Sequence, residues 1–230
     1  MSIILNIETS TSVCSCALTF NGTVIFNREN LEGQSHSTLL GVFVEETMMY
    51  VRENRMALDA IAVSSGPGSY TGLRIGVSEA KGLAYGLGVP LTAIPTPLLM
   101  ASIVKNNVPP NALLCPMIDA RRLEVYATIF DTSLNVIRET SAEIINENSY
   151  AGLLEKHQVA FFGNGSEKCK PLLPHPNAQF IYNIHPLASG MMPLAEKAFA
   201  EKNFVDAAYF EPHYLKEYEA VVGKNKVLQV

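Results

Sequence analysis

Charged residues, cysteines and long hydrophobic runs are all scarce in this chain of 230 residues. Charged residues make up 17% of the chain and hydrophobic residues 48%, a composition typical of a globular protein. The surface is poor in charged residues, and we expect part of it to be covered. No apolar run approaches the ~20 residues that a membrane span requires, and the N-terminus lacks the basic region of a secretion signal. We therefore expect a cytoplasmic protein without membrane contact.

Basic residues are too few for a protein that binds nucleic acid on its own. Seventeen Lys and Arg stand against twenty-two Asp and Glu, which gives a formal net charge of −5. Autonomous nucleic-acid-binding proteins usually show a basic excess or a basic stripe. We expect any contact of this chain with RNA to depend on a partner.

The order of predicted elements repeats along the chain. Two strands meet across Asn21-Gly22, residues 37–54 form an amphipathic helix, and the pattern continues to a helix that starts at Thr96, which gives βββαβαβα. After the polar, proline-rich stretch 105–111, the same order returns at a period of about 105 residues. The repeat predicts an α/β fold of two duplicated lobes across a cleft, residues 1–105 and 106–230, the second ending in a loose tail over 217–230.

Seven of the fifteen glycines lie in the stretch "SSGPGSYTGLRIGVSEAKGLAYGLGVP", residues 64–90. A glycine inside a helix costs about 1 kcal/mol relative to alanine, so the sequence needs a compensating contact. Small residues recur every four positions, at Gly72, Gly76, Ala80 and Ala84. Such a stripe lets another helix approach closely. From the spacing alone, contact with a helix of a partner protein and packing within the same lobe explain the stripe equally well.

Duplicated βββαβαβα lobes are typical of the actin, Hsp70 and sugar-kinase (ASKHA) superfamily, and four motifs narrow the resemblance. In order and spacing, the chain resembles the TsaB (YeaZ) family of bacterial partner subunits of the tRNA threonylcarbamoyladenosine (t6A37) transferase complex. The motifs are "ILNIETSTSVCSCAL" (4–18), "AIAVSSGPGSYTGLRIGVSEAKGLAYGLGVPL" (60–91), "IDARRLEVYA" (118–127) and "EPHYL" (211–215).

The resemblance implies a non-catalytic scaffold and activating subunit for threonylcarbamoylation of N6 of adenosine 37 in ANN-decoding tRNAs. Such a subunit pairs with the catalytic paralogue TsaD, recruits the ATPase TsaE, reaches tRNA only through the complex and forms a homodimer when alone. The pairing surface would be the helix over 37–54 with residues 71–87. The predicted interface residues are Leu40, Phe43, Val44, Gly72, Arg74, Gly76, Ala80, Leu83 and Ala84.

Side chains for metal or nucleophilic chemistry are missing where the catalytic paralogue would have them. TsaD carries a helical His-x-x-x-His metal pair, whereas no two of the five histidines here are four apart, and Leu40 stands four residues after His36. We expect no metal and no catalytic residue. The cysteines Cys14, Cys16, Cys115 and Cys169 fit neither a disulfide framework nor a zinc site, and we predict buried thiols.

Two turns are candidates for a vestigial nucleotide site. Glu8, Thr9 and Ser10 occupy the turn that binds phosphate in this superfamily, but Glu8 replaces the usual Asp and no glycine opens the turn. Gly163 and Gly165 lie between a strand and a helix, where backbone amides can receive an anion. We expect no cofactor on the chain alone, with weak ATP or ADP binding at a shared interface left open.

The residues also leave two other functions to weigh. An autonomous ATP-dependent phosphotransferase of the same superfamily would act on a small molecule in the cleft, although Glu8 speaks against it. A glycoprotease-like metallopeptidase is disfavoured by the missing histidine pair. In "DARR", Asp119, Arg121 and Arg122 could grip a carboxylate or phosphate, and a solvated turn or a salt bridge to Glu124 is the alternative.

Overall fold

The computed structural model describes residues 2–33 and 36–216 of the chain. In this part, ten strands form two five-stranded sheets. The first sheet holds β1 (Ile3–Glu8), β2 (Cys14–Phe20), β3 (Thr23–Asn30), β4 (Ala60–Gly66) and β5 (Leu91–Pro95). The second holds β6 (Leu113–Asp119), β7 (Glu124–Phe130), β8 (Val136–Ile144), β9 (Val159–Phe162) and β10 (Ala178–Ile181). The predicted tail over 217–230 lies outside the described residues.

The two sheets have the same topology. The first has the strand order β3-β2-β1-β4-β5, and the second, read from its other edge, has the order β8-β7-β6-β9-β10. In each sheet the first three strands are antiparallel neighbours and the last two are parallel. The duplicated α/β fold predicted from the element order is therefore confirmed.

Five α-helices connect the described strands. They are α1 (His36–Glu53), α2 (Tyr70–Leu87), α3 (Thr96–Val104), α4 (Ala151–Leu154) and α5 (Met192–Ala200). The helix predicted over 149–157 is reduced to α4, and the one expected after Gly163 is a 3₁₀ helix, Glu167–Leu172. Pro171 lies inside that 3₁₀ helix and cannot donate the backbone hydrogen bond that an α-helix would need there.

The first sheet is covered on both faces, because successive side chains of β1 point in opposite directions. Leu5 and Ile7 join one core cluster with Leu40 of α1 and Val77 of α2. Ile4 points the other way, into a cluster with residues of α3 and α5. As a result, α1 and α2 lie side by side on one face of the sheet, with their outer sides turned to solvent.

The last helix, α5, packs against the first sheet rather than the second. Ala195 and Ala198 of α5 are buried in the cluster that contains Ile4 and Ala60. The second sheet is covered by Met100 and Val104 of α3 instead, so α3 lies between the two sheets. From the repeat we assigned α5 to the second lobe, because sequence order alone does not show which sheet a helix covers. The division into lobes between residues 105 and 106 stays a prediction.

Candidate docking face

The small-residue stripe on α2 faces the interior of the chain. Ala80 and Ala84 are 0% and 2% exposed in the core beneath α2, and Gly72 and Gly76 are buried as well. A Cβ atom at Gly72 would overlap the backbone oxygen of Thr9, and one at Gly76 would overlap the Thr9 hydroxyl. The Thr9 hydroxyl also donates to the Gly72 carbonyl oxygen at 2.7 Å. These glycines serve the close approach of β1 and α2.

This packing corrects most of the predicted interface. Phe43 and Leu83 are half-buried against the same core, and Arg74 is exposed. The stripe faces the core because the large apolar residues Leu73 and Val77 lie on the same side of α2 as the stripe, and both are buried. Six predicted interface residues lie in the chain's own core and are unavailable to a partner: Leu40, Val44, Gly72, Gly76, Ala80 and Ala84.

A second row of small residues runs along the opposite side of α2. Gly82 and Gly86 are exposed, and apart from the adjacent backbone of α2 no described atom lies within 4 Å of a Cβ placed on either one. On α1, Gly41 is equally open, and Val42 and Met49 are 45% and 47% exposed. We call this surface the outer face. It comprises Arg74, Ser78, Gly82, Tyr85 and Gly86 of α2 with Gly41, Val42 and Met49 of α1.

Tyr85 is the largest exposed side chain of the outer face, with 88% of its surface in solvent. It lies between Gly82 and Gly86, which carry no side chains. Leu87, one residue past the row, is 46% exposed. Sequence analysis missed this face, although Ser78, Gly82 and Gly86 have the same four-residue spacing as the inner stripe. Buried Leu73 and Val77 lie beside the inner stripe, whereas the outer row lies beside the exposed Tyr85.

A groove flanks the outer face at the start of α2. It has a volume of about 470 Å³ and is lined by Tyr70, Thr71, Arg74, Ile75 and Ser78. The Arg74 guanidinium donates to the Tyr70 hydroxyl at 2.7 Å, and its carbon lies 5.3 Å from the centre of that ring. All five lining residues belong to α2, so the groove is shallow and open, with the Arg74 guanidinium beside the Ile75 side chain and the Tyr70 ring.

The caps of α2 fix where the outer face begins and ends. Ser69 caps the N-terminus, where its hydroxyl accepts from the Gly72 amide at 3.2 Å. Gly88 ends the helix with a φ of 66°, a backbone conformation that glycine adopts without strain.

The turn after β1 is filled by the chain itself. Glu8 is fully buried, accepts from the Ser10 amide at 2.5 Å, and accepts from the Ser64 hydroxyl. The Ser69 amide donates to the Ser10 carbonyl at 2.6 Å, so the start of α2 is hydrogen-bonded to this turn. Burial raises the pKa of Glu8 to about 7, against the opposing effect of the hydrogen bonds from the Ser64 hydroxyl and the Ser10 backbone amide. Of the polar side-chain atoms in this turn, the Ser10 hydroxyl is buried without a partner among the described residues.

The second candidate turn is packed just as tightly. Gly163 has a φ of 97°, and a Cβ there would meet the carbonyl of Met117. A Cβ at Gly165 would lie 2.9 Å from the carbonyl carbon of Ile118. The two turns belong to different sheets, and the described atoms occupy the space beside each. Nucleotide binding at these turns stays a prediction.

The remaining candidate groups have structural contacts. Cys14, Cys16, Cys115 and Cys169 are buried free thiols, as predicted, and burial raises the pKa of Cys14 to about 11. His36 has its Nε2 3.0 Å from the Val13 carbonyl oxygen. Within residues 2–33 and 36–216, no three His, Cys, Asp or Glu side chains are grouped as a metal site would require. No helix in the described ranges is long and apolar enough to cross a membrane.

A lysine contacts the basic turn between β6 and β7, which contains Arg121 and Arg122. Lys168 forms an ion pair with Asp119 and donates to the carbonyl oxygens of Arg122 and Glu124 at 2.7 and 2.8 Å. Arg121 is exposed, as is Arg122. The Glu124 carboxylate pairs with Lys216 rather than with either arginine.

Two sheets with the same order of three antiparallel and two parallel strands define an α/β protein of the actin-like (ASKHA) class. The family model described as "TsaD: tRNA N6-adenosine threonylcarbamoyltransferase" matches residues 30–223. The chain is 32% identical over 223 residues to the tRNA threonylcarbamoyladenosine biosynthesis protein TsaB of Escherichia coli K12, which covers 93% of this chain and 94% of that one.

A second relative and a solved structure agree with this match. The TsaB protein of Haemophilus influenzae is 26% identical over 228 residues, with 93% of each chain covered. The structure of YeaZ from Pseudomonas aeruginosa superposes with a TM-score of 0.74 at 26% identity, covering 94% of this chain and all of that one. The chain belongs to the TsaB (YeaZ) family.

Proposed function

We propose that this chain is a non-catalytic subunit of the machinery that makes threonylcarbamoyladenosine at position 37 of tRNA, and that it acts by docking its catalytic paralogue through the outer face. The names of its relatives support the pathway. The observation that carries the docking step is the open space above Gly82 and Gly86 on an exposed helix.

The argument for docking is energetic. Gly82 and Gly86 each cost α2 about 1 kcal/mol relative to alanine. For Gly72 and Gly76 that cost is offset by the contact with Thr9, but no described atom approaches the outer pair. A helix of another molecule can pack against a surface without side chains and recover the cost through van der Waals contact. Tyr85, exposed between these glycines, is a residue type enriched among binding hot spots.

The proposed occupant is TsaD, with a second copy of this chain taking its place when TsaD is absent. TsaD shares the family model that matches this chain, so an equivalent pair of helices in TsaD would offer a similar surface. TsaE and tRNA would then bind the assembled complex. The net charge of −5 supports a subunit that leaves most RNA contact to its partners.

A non-catalytic role is supported by how the first turn is built. The Glu8 carboxylate is buried and already accepts hydrogen bonds from Ser10 and Ser64, so it cannot orient a metal ion or a water at a phosphate. The Thr9 hydroxyl is likewise committed to Gly72. We therefore propose that the chain alone holds no nucleotide, and that any ATP or ADP binds weakly at an interface shared with a partner.

The function can be tested in cells depleted of this protein. The fraction of threonylcarbamoylated adenosine in digested tRNA, measured by mass spectrometry, should return with the wild-type chain. It should stay low with Gly82→Leu, because the added side chain blocks the outer face. Gly152→Leu is the matched control, since Gly152 is also exposed and open but lies on α4. Full modification with Gly82→Leu would contradict the docking role.

Calorimetric titration of the purified chain with Mg-ATP separates this function from a phosphotransferase. We expect no binding tighter than about millimolar, in line with the filled turns. Micromolar binding by the chain alone would favour the phosphotransferase instead.

A further inference from the structure

The chain continues past α5 as an extended segment that we call the strap, residues 205–216. It begins beside the first sheet, where the Val205 amide donates to the Leu91 carbonyl oxygen at 2.9 Å. The strap contains no helix or named strand of its own. Its path must therefore be set by contacts with the rest of the molecule.

The first half of the strap is held by α2. The Lys81 ammonium donates to the carbonyl oxygens of Ala208 at 3.2 Å and Phe210 at 2.8 Å. One lysine thus fixes two backbone positions of the strap. Phe210 also packs against the core cluster beneath α1 and α2.

The second half passes the end of β4. The His213 amide donates to the Ser65 carbonyl oxygen at 2.7 Å. Gly66 has a φ of 95°, and a Cβ there would approach the His213 carbonyl oxygen to 3.0 Å. The backbone of the strap therefore lies directly against the C-terminal end of β4.

Two side chains at the end of the strap reach different lobes. Tyr214 packs on Tyr70, the first residue of α2, with ring centres 4.9 Å apart and planes tilted by 40°. Lys216 forms an ion pair with Glu124 at the start of β7, in the second sheet. Lys216 and Arg121 also lie near enough to Tyr126 to oppose the rise in its pKa that burial causes.

We propose that the strap is a latch that sets the angle between the two lobes, with Tyr214 on α2 and Lys216 on β7 as its two attachment points. The lobes are already joined through α3, so the latch restrains their closure rather than their connection. Tyr70 belongs both to the latch and to the groove beside the outer face. Given the proposed function, docking at the outer face and closure of the lobes would therefore share a residue.

The latch can be tested in the full chain by measuring the distance between the lobes. Spin labels at Glu53→Cys on α1 and Glu155→Cys after α4 would report it by pulsed electron resonance, and the four native thiols are buried and should not be labelled. When the labelled chain is diluted with an excess of unlabelled chain, so that each dimer carries labels on one copy only, the wild type should give one narrow distance. The double variant Tyr214→Ala/Lys216→Gln should lose that narrow peak, whereas Lys156→Gln, an exposed lysine elsewhere on the second lobe, should keep it.

Hydrogen exchange of the same proteins shows whether the strap has been released. In the double variant the His213 amide should exchange about three- to tenfold faster, as loss of an aromatic pair predicts. Faster exchange with an unchanged interlobe distance would overturn the latch, and so would unchanged exchange. Gly82→Leu separates this idea from docking, because it should abolish association while leaving both measurements as in the wild type.

Discussion

The two sides of α2 use glycine for opposite purposes. On the inner side, Gly72 and Gly76 are covered by Thr9 so closely that neither has room for a Cβ. On the outer side, Gly82 and Gly86 have no described neighbour within 4 Å. The residue type and the four-residue spacing are the same on both sides. The difference teaches that a small-residue stripe can be interpreted only once its surroundings are known, and that the outer pair is the one whose surface is open.

The largest effect should come from filling the inner side. We expect Gly72→Val to lower the free energy of unfolding by more than ~3 kcal/mol, because its side chain would overlap the backbone of Thr9, which cannot move independently of β1. Urea denaturation followed by circular dichroism measures the change. Gly82→Val is the matched control and should change stability by less than ~1 kcal/mol. Equal losses in the two variants would remove the distinction between the faces.

The turn that presses against the inner glycines should make stability depend on pH. Burial raises the pKa of Glu8 from 4.5 to about 7, so between these values the folded chain keeps a proton that the unfolded chain releases. Glu8 therefore lowers stability progressively as the pH rises from 4.5 to 7, by up to about 3 kcal/mol.

Glu8→Gln tests this dependence. The difference in the free energy of unfolding between the variant and the wild type should shift in favour of the variant as the pH rises from 5 to 8. Urea denaturation at pH 5 and at pH 8 measures this difference. Exposed Glu155→Gln is the control and should run parallel to the wild type. A constant difference between Glu8→Gln and the wild type across this range would mean that Glu8 is ionised in the folded chain throughout.

A smaller effect of opposite sign should follow from Gly82→Ala. Alanine removes the helical cost of glycine and meets no neighbour, so we expect a gain of about 1 kcal/mol in the free energy of unfolding of the monomer. Thermal unfolding at low protein concentration would detect it. A loss of stability would show that an unexpected part of the chain covers this position.

The smallest effect should come from an exposed ion pair that ties β3 to the polar side of α1. The Arg28 Nε lies 2.5 Å from a carboxylate oxygen of Glu46, and both side chains are more than 40% exposed. We expect Glu46→Gln to cost less than ~1 kcal/mol, and high salt to diminish the difference. A loss comparable to that of Gly72→Val would contradict the view that the solvent side of these helices contributes little to folding.

The sequence was informative about elements and less so about their neighbours. Asn21-Gly22, the apolar periodicity of α1 and the repeated order of strands predicted both sheets. The sequence does not show which way the α2 stripe faces. The side of α2 that carries the stripe, Leu73 and Val77 is the side that packs against β1, and this contact is seen only in the folded structure. Leu40 and Val44, which are buried, were assigned to an interface because the family resemblance implied that α1 pairs with a partner.

Contacts between distant segments could not be predicted from local patterns. In the fold, α5 packs on the first sheet and α3 lies between the two sheets. The strap has no periodicity, and its attachments join residues far apart in the chain, such as Lys216 and Glu124. Four residues of α4 and a 3₁₀ helix replace two predicted helices, since such short helical segments are held mainly by tertiary packing and Pro171 interrupts the second one.

The most direct test of the docking face is the solution mass of the chain by light scattering after size exclusion, alone and mixed with TsaD from the same organism. The wild type and Gly152→Leu should each form a dimer alone and exchange it for a heterodimer. Gly82→Leu should stay monomeric in both samples, while at protein concentrations low enough for the wild type to be monomeric it should unfold at or above the wild-type temperature. A Gly82→Leu variant that pairs as the wild type does would contradict the assignment of the outer face as the surface for partners.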